Sequence, residues 1–459
     1  MRQFTLLGDN PQLLHQQFLN TALGYLYLSI PWDELAAKIP PPPSSLSGLG
    51  RKPWFDVKGG IALQILKHNY QLSDARLIEH VNTNWAMQLF CGMQLKPGQK
   101  INDYDLPSDW RVYLSQYMDI SKAQRQLAKH WKPHMEQTQT AGTDATCYES
   151  YIEFPTDVKL VWKGCEELYG HIQKMRKTKK LRPSRVNYPL RKKEYLTYQK
   201  SRKKTSKAEK KLRKKLLKFL ARLIQQFDDL MKKQVFGFSK RKQKRIAAVM
   251  QLYRQQHDKA YGIIEKIENR IVNIAKEYIR PIVRGKEVKK VEFGAKVNKL
   301  QVDGISFIEY LSYDAFNEGT RLQSTVLMHQ EYFGKCGQVS ADKIYATNNN
   351  RTYCRKKGIV TSFQPKGKQK QEHIGQAALM RQLLDKERST RLEGSFGNEK
   401  NHYLLEKVNA RTKETETIWI FFGIHTANAV NIAKRMQAKE RERDHTHPPP
   451  TELPLKQAA

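Results

Sequence analysis

The chain has 459 residues, with 81 Lys+Arg against 45 Asp+Glu and a formal net charge of +36. That length excludes one compact domain and fits two to four units of ordinary size. The charge is far more than solubility requires and points to a polyanionic partner, nucleic acid ahead of an anionic membrane surface. No charged-then-apolar leader layout and no lipidation motif is read at the N-terminus. The most apolar run, Thr417 to Ala433, is interrupted by His425, Asn428 and Asn431 and is too short to span a bilayer. It reads as a buried helix, and no membrane association is expected. Five scattered cysteines without a C-x-x-C pair give neither a zinc site nor a disulfide framework, so a reducing cytoplasm is the expected compartment.

In chain order, Pro40 to Pro43 and the Ser/Gly run behind them cannot continue a helix and predict a linker, with a domain edge near Arg51. Beyond it, Ile61, Leu63, Ile65 and Leu66, then Leu77, Ile78 and Val81, predict two helices, with Ser73 as N-cap of the second. Residues 106–135 add one or two amphipathic helices, with Ser108 as a cap. Residues 171 to 220 then hold 21 Lys+Arg and two acids, Glu194 and Glu209. Within and after this block Leu212, Leu216, Phe219, Leu223, Phe227 and Leu230 recur at helical spacing, and so do Ile264, Ile267, Ile271, Ile274 and Tyr278. A long basic helical hairpin turning near Gly237 is expected. Each lysine alone reads as solvated, but the one-sided sign favours an arm that grips DNA.

After Pro281 the period changes. Two β-type runs flank Asp303-Gly304, a hairpin signal. A helix over residues 320–333, a short strand ending on Asp342, a helix closing on Gly358 and a strand over 359–364 complete a β-β-α-β-α-β order, the signature of a mixed sheet. A helical stretch from Ile374 to Lys400, interrupted at Gly394 and Gly397, follows, and the tail from Arg441 reads as disordered.

No G-x-S-x-G, P-loop, G-x-G-x-x-G or H-E-x-x-H motif is present. Three acids stand out by position: Asp144 after a Thr-rich run, Asp342 at a strand end, and Glu393 on a helix among small residues. Carboxylates so presented suit hard divalent cations, which take oxygen ligands. Asp157, behind Pro155 and Thr156, reads instead as a turn or cap residue.

Four stretches then resemble the DDE transposases of bacterial insertion sequences, particularly the insertion-sequence-five superfamily. They are the helical segment from Gly50 to Met93, "TDATCYESYIEFPTD" around Asp144, residues 291–319 followed by "ADKIYATNNNRTYCRKKGI", and "RLEGSFGNEK" around Glu393. The resemblance runs from about Arg51 to Arg435. It implies an α/β fold: an RNase H-like catalytic core, a mixed sheet flanked by helices, interrupted by a basic helical insertion and preceded by an all-α domain. The expected boundaries are 1–50 for an N-terminal segment and linker, 51–135 for a helical DNA-binding domain, 136–168 and 288–437 for the core, 169–287 for the helical-hairpin insertion and 438–459 for the tail.

It further implies Asp144, Asp342 and Glu393 as an acidic triad for two Mg²⁺ ions, replaceable by Mn²⁺. Lys400 matches the family's DNA-contacting lysine. The family's arginine four positions before the glutamate is here Ser389, with Arg388 and Arg391 on either side, and its upstream tyrosine is Lys386. The glycine before the tyrosine of the second block is Ile344. The implied activity is cleavage of transposon ends and strand transfer into target DNA. The implied partners are double-stranded DNA carrying terminal inverted repeats and a second copy of the chain, in a bacterial cytoplasm at the nucleoid. A non-catalytic basic DNA-binding relative and an RNase H-like nuclease without joining activity are the alternative readings.

Overall fold

The computed structural model describes residues 11–42, 53–184, 186–233, 236–283, 291–367 and 374–446. Most of the expected linker, from Pro43 to Arg51, and the expected tail from His447 onward lie outside the described residues, whereas the tail's first residues, up to Thr446, are not disordered but continue the last helix. Among the described residues eight helices come first: α1 (Pro11–Leu19), α2 (Ala22–Leu28), α3 (Trp32–Ala36), α4 (Val57–Asn69), α5 (Asp74–Thr83), α6 (Trp85–Phe90), α7 (Leu106–Tyr117) and α8 (Ile120–Trp131). Strand β1 (Thr140–Ser150) leads to α9 (Asp157–Thr178), α10 (Tyr188–Lys200), α11 (Ser206–Lys233), α12 (Lys240–Ala260) and β2 (Pro281–Val283). Then come β3 (Val291–Val302), β4 (Ile305–Ser312), α13 (Leu322–Phe333), β5 (Gln338–Ala341), α14 (Asn348–Lys356) and β6 (Val360–Thr361). The chain closes with α15 (Ile374–Glu387), a π-helical turn at Arg388–Leu392, α16 (Glu393–His402), β7 (Lys407–Val408) and α17 (Lys413–Thr446).

Two compact units result. The first takes residues 1–149, 296–312 and 316–459; the second takes 150–295 and 313–315. In the first, β5 pairs with β1 and with β6 in parallel, β4 pairs antiparallel with β3, and the sheet order runs β3-β1-β5-β6, with β7 on β1. This mixed sheet is the α/β class expected from the sequence. β1 is buried along nearly all its length, as a central strand covered on both faces must be. Asp303 (φ +48°) and Gly304 (φ +78°) make the predicted β3–β4 turn, in which two successive left-handed residues match the strand twist. Helix α17 is the apolar run of residues 417–433; it buries Ile418, Phe421, Ile424 and Ile432 and packs on α2, α4 and α7. No described helix is long and apolar enough to cross a membrane. The N-terminal helices are tied together by charge as well. Ser73 caps α5 as predicted, and Asp74 beside it binds Lys67 (2.8 Å) and Arg111 (3.0 Å), whose cations lie over the Trp419 ring. Ser108 is not a cap: α7 starts two residues before it, behind Asp105.

In the second unit α11 turns Leu212, Leu216, Phe219, Leu223, Phe227 and Leu230 inward, the stripe read from the sequence. They meet Trp162, Cys165 and Leu168 of α9 and Val249 and Leu252 of α12. The hairpin's second arm is α12, not a helix over Ile264–Tyr278. The chain leaves the helix at Tyr261 and Gly262 (φ +75°), and Asn269 (φ +46°) breaks it again. Of the five residues at that spacing only Ile271 and Ile274 are buried, from irregular chain, while Ile264, Ile267 and Tyr278 are half-buried.

Asp157 opens α9 behind its cap Thr156. It is more than a turn residue: its carboxylate binds Arg213 (2.9 Å), Lys259 (2.9 Å) and Arg270 (2.8 Å) and accepts from Gln256 (3.1 Å). Four stretches of chain are joined through one acid.

Candidate active site

Pairing of Thr143 with Ala341 ends the β1–β5 ladder, so Asp144 and Asp342 follow as the next residues on adjacent parallel strands. Each uses one oxygen in the same way: Asp144 Oδ1 accepts the Ala145 N–H and Asp342 Oδ1 accepts the Lys343 N–H, both at 2.7 Å. Asp342 is exposed, whereas the Asp144 side chain is 17% exposed. Burial pushes the Asp144 carboxyl up to about 6, and the charges of Glu318 and Asp342 add to this against the Ala145 N–H and Arg388. A carboxyl in that state favours a cation beside it.

Glu393 begins α16, and its carboxylate accepts from Arg388 Nη1 at 2.6 Å; the same nitrogen stands 3.7 Å from Asp144 Oδ2. Arg388 therefore links the two acids. Its placement comes from the π turn, where the Glu393 N–H bonds the Arg388 carbonyl five residues back. The extra residue in that turn lets position i−5 face Glu393 as position i−4 does in an ordinary α-helix. Arg391 points away, to Asp303 (3.1 Å) and Glu387 (3.2 Å). Lys400 donates to Thr146 Oγ1 of β1 at 3.0 Å, with its ammonium 5.8 Å from the Tyr148 ring centre. The helical break expected at Gly394 and Gly397 is absent: α16 runs through both, and the irregularity is the π turn.

Beside Asp342 opens a cavity of about 710 Å³, lined among others by Lys343, Arg351, Lys386, Arg388 and Ser389. Four cations on its wall suit phosphate. Neither Lys343 nor Lys386 has an ion-pair partner among the described residues.

Among the described residues no three of His, Cys, Asp and Glu converge on one ion-sized space. The donor chemistry nevertheless fits a hard divalent cation at the two aspartates, which offer oxygen ligands only and each keep an oxygen unused by the neighbouring N–H. Glu393 is linked to Asp144 through Arg388. The residues sequence reasoning missed are Glu318, paired with Lys296 at 2.7 Å, and Lys299 with Glu399, paired at 2.6 Å. Their only sequence signal is a lysine within an otherwise strand-like run, "AKVNKLQV".

A family model described as a transposase DDE domain matches residues 339–426. That match supports a DDE transposase. It spans Asp342, Arg388, Arg391, Glu393 and Lys400; Asp144 lies before it. Comparison with curated proteins and with solved structures gave no match.

Proposed function

We propose that the chain is a DNA transposase of the insertion-sequence-five type, with an RNase H-like core that cleaves transposon ends and transfers the strand to target DNA. The observation that carries this reading is the pair Asp144, within β1, and Asp342, just past β5, side by side where the β1–β5 ladder ends, with Glu393 joined to Asp144 through Arg388 and with Asp342, Arg388 and Glu393 inside the segment that matches a transposase DDE domain. Divalent ions held by Asp144, Asp342 and Glu393, two Mg²⁺ in this reading, supply charge stabilisation for displacement at a phosphodiester. The chain's own residues do the rest. Asp144, largely buried, and Asp342 present the oxygens; Arg388 sits where a scissile phosphate's charge would be met. Lys343 and Lys386 offer ammonium groups to the flanking phosphates, and Lys400 stands beside β1 to orient the strand.

DNA is held mainly by the second unit. Lys207, Lys211, Lys214, Lys218 and Arg222 are exposed along one face of α11, a stripe about 22 Å long at 1.5 Å per residue. Such contacts read the backbone, not the sequence. Recognition of terminal repeats is assigned to the N-terminal helices, and two copies bridge two ends.

The test is cleavage of a duplex carrying the element's terminal repeats in Mg²⁺. Asp144→Ala, Asp342→Ala and Glu393→Ala are each expected to lower the rate at least 10³-fold with DNA affinity nearly unchanged. Wild-type cleavage by any of the three removes that residue from the site. Retardation of the DNA by the unmutated chain without cutting in Mg²⁺ or Mn²⁺ returns the chain to a basic DNA-binding protein. Cutting without joined products makes it a nuclease.

A further inference from the structure

Helix α16 carries Glu393 at its first position and Lys400 near its last, yet Glu399 is its only buried residue. A helix ordinarily docks through an apolar stripe. Here a Cβ on Gly394 or Gly397 would meet nothing within 4 Å, so neither glycine is explained by packing against the body of the protein. Leu392 anchors the preceding turn against β1, but the buried contacts made from within the helix itself are polar. Glu399 Oε1 accepts from Lys299 Nζ at 2.6 Å, and Oε2 accepts from the Tyr148 hydroxyl. Lys299 also donates to Ser395 Oγ at 3.0 Å, and its ammonium lies 4.5 Å from the Phe396 ring centre. The Lys299 and Glu399 side chains are 0% and 2% exposed.

The partners come from the strand that carries Asp144 and from its neighbour in the sheet. Tyr148 lies on β1, four residues beyond Asp144. Lys299 lies on β3 where the ladder to β4 slips by one residue, between Asn298 and Lys299, and such bulges re-aim side chains. A buried ion pair is no more stabilising than two well-packed apolar side chains of the same volume, since both charges must be desolvated. What the pair adds is direction: hydrogen bonds fix the rotation of a helix where apolar contact lets it turn.

We infer that Lys299, Glu399 and Tyr148 are positioning residues that lock the rotation of α16 against β1 and β3, and so set where Glu393 stands relative to Asp144 and Asp342. The inference rests on the acidic-site reading above, and its test separates the two. In the full-length chain, Lys299→Met/Glu399→Met replaces the ion pair by apolar volume. Melting is expected within a few degrees of wild type, while backbone amides of α16 exchange at least tenfold faster and those of β1 and α17 are unchanged. The Mg²⁺ concentration giving half-maximal end cleavage is expected to rise at least tenfold, with DNA affinity constant. Wild-type exchange in α16 together with a wild-type Mg²⁺ requirement makes the pair core filling and overturns the lock. If the double variant does not fold, Tyr148→Phe decides: it keeps ring and ion pair but removes one hydrogen bond. A two- to fivefold rise in α16 exchange supports the lock, and no change overturns it. A wild-type chain that cuts no DNA in any divalent ion sinks the functional reading, while the exchange measurement still decides the lock.

Discussion

The two units use charge in opposite ways. Residues 150–295 and 313–315 hold 41 Lys+Arg against 15 Asp+Glu, +26 of the chain's +36. The other unit, about twice as long, holds 40 against 30. In the basic unit one buried acid, Asp157, answers three cations. In the other, Asp144 and Asp342 stand side by side where the β1–β5 ladder ends, and burial, helped by the charges of Glu318 and Asp342, pushes Asp144 up to about 6. One unit is thus short of anions and the other, locally, of cations. On the proposed reading, DNA would answer the first shortage, and divalent ions together with Arg388 the second.

The largest effect should come from breaking the surplus. Lys207, Lys211, Lys214, Lys218 and Arg222 changed together to Ala should lower the slope of log affinity against log salt by about 4–5, since each phosphate contact contributes about 0.9. The loss of binding between about 50 and about 200 mM salt then shrinks several hundred-fold. Melting should barely change, because these side chains are exposed. An unchanged salt slope in a binding titration would falsify the α11 stripe as the DNA contact.

Next comes the acid that holds the surplus together. Asp157→Ala leaves Arg213, Lys259 and Arg270 facing one another in a buried site and should cost about 3–5 kcal/mol, measured by denaturant unfolding. A loss under 1 kcal/mol would mean the cations turn out to solvent.

These same residues show where the sequence was legible. The inward face of α11 and the Asp303-Gly304 turn could be read because period and turn chemistry are local. Asp157 was legible as a helix start, but its partners lie 56 to 113 residues away and no spacing announces them. The acids Asp144 and Asp342 stood out by their place near strand ends. The choice between Arg388 and Arg391 could not be made in the sequence, because it depends on one π turn that shifts the register by a residue. The lock on α16 was hidden for a related reason: a buried lysine in a strand looks like a solvated one until the fold closes over it.

Acid should separate the units too. Burial holds His68 and His425 down at about 3, against an ordinary value near 6.5. The unfolded chain therefore takes up protons below about pH 6.5 that the folded one refuses, and stability present above that pH is lost as pH falls. At pH 5 each histidine costs about 2 kcal/mol. Asp157 is held below its ordinary value: burial pushes it up, but Lys259, Arg270 and Gln256 outweigh that. Its contribution is present above about pH 4 and lost below. Backbone exchange followed from pH 7 to pH 5 should thus rise in α4 and α17 first, with α9 to α12 holding until more acid pH. His68→Gln and His425→Gln should flatten the first phase. Simultaneous loss of both units would show the histidines to be better solvated than their burial implies.

The smallest effect sharpens the comparison from the other side, by disturbing the scaffold of the less basic unit without touching the α11 stripe. Gly304 sits at φ +78°, where a Cβ is strained, although its nearest neighbour, Arg435, is 3.8 Å away and does not clash. Gly304→Ala should therefore cost about 1 kcal/mol from backbone strain alone. Asp303, one residue earlier, accepts from Arg435 (2.7 Å), Arg391 (3.1 Å) and the Glu136 N–H (3.0 Å), so the turn is held from three sides and should keep its shape. Because Arg391 is anchored there and Arg388 is not, the variant should melt a few degrees lower yet retain both cleavage rate and salt slope. A fall in cleavage larger than the fall in stability would mean that the strain reaches the π turn through Arg391, and that Arg388 and Arg391 act as one element rather than two.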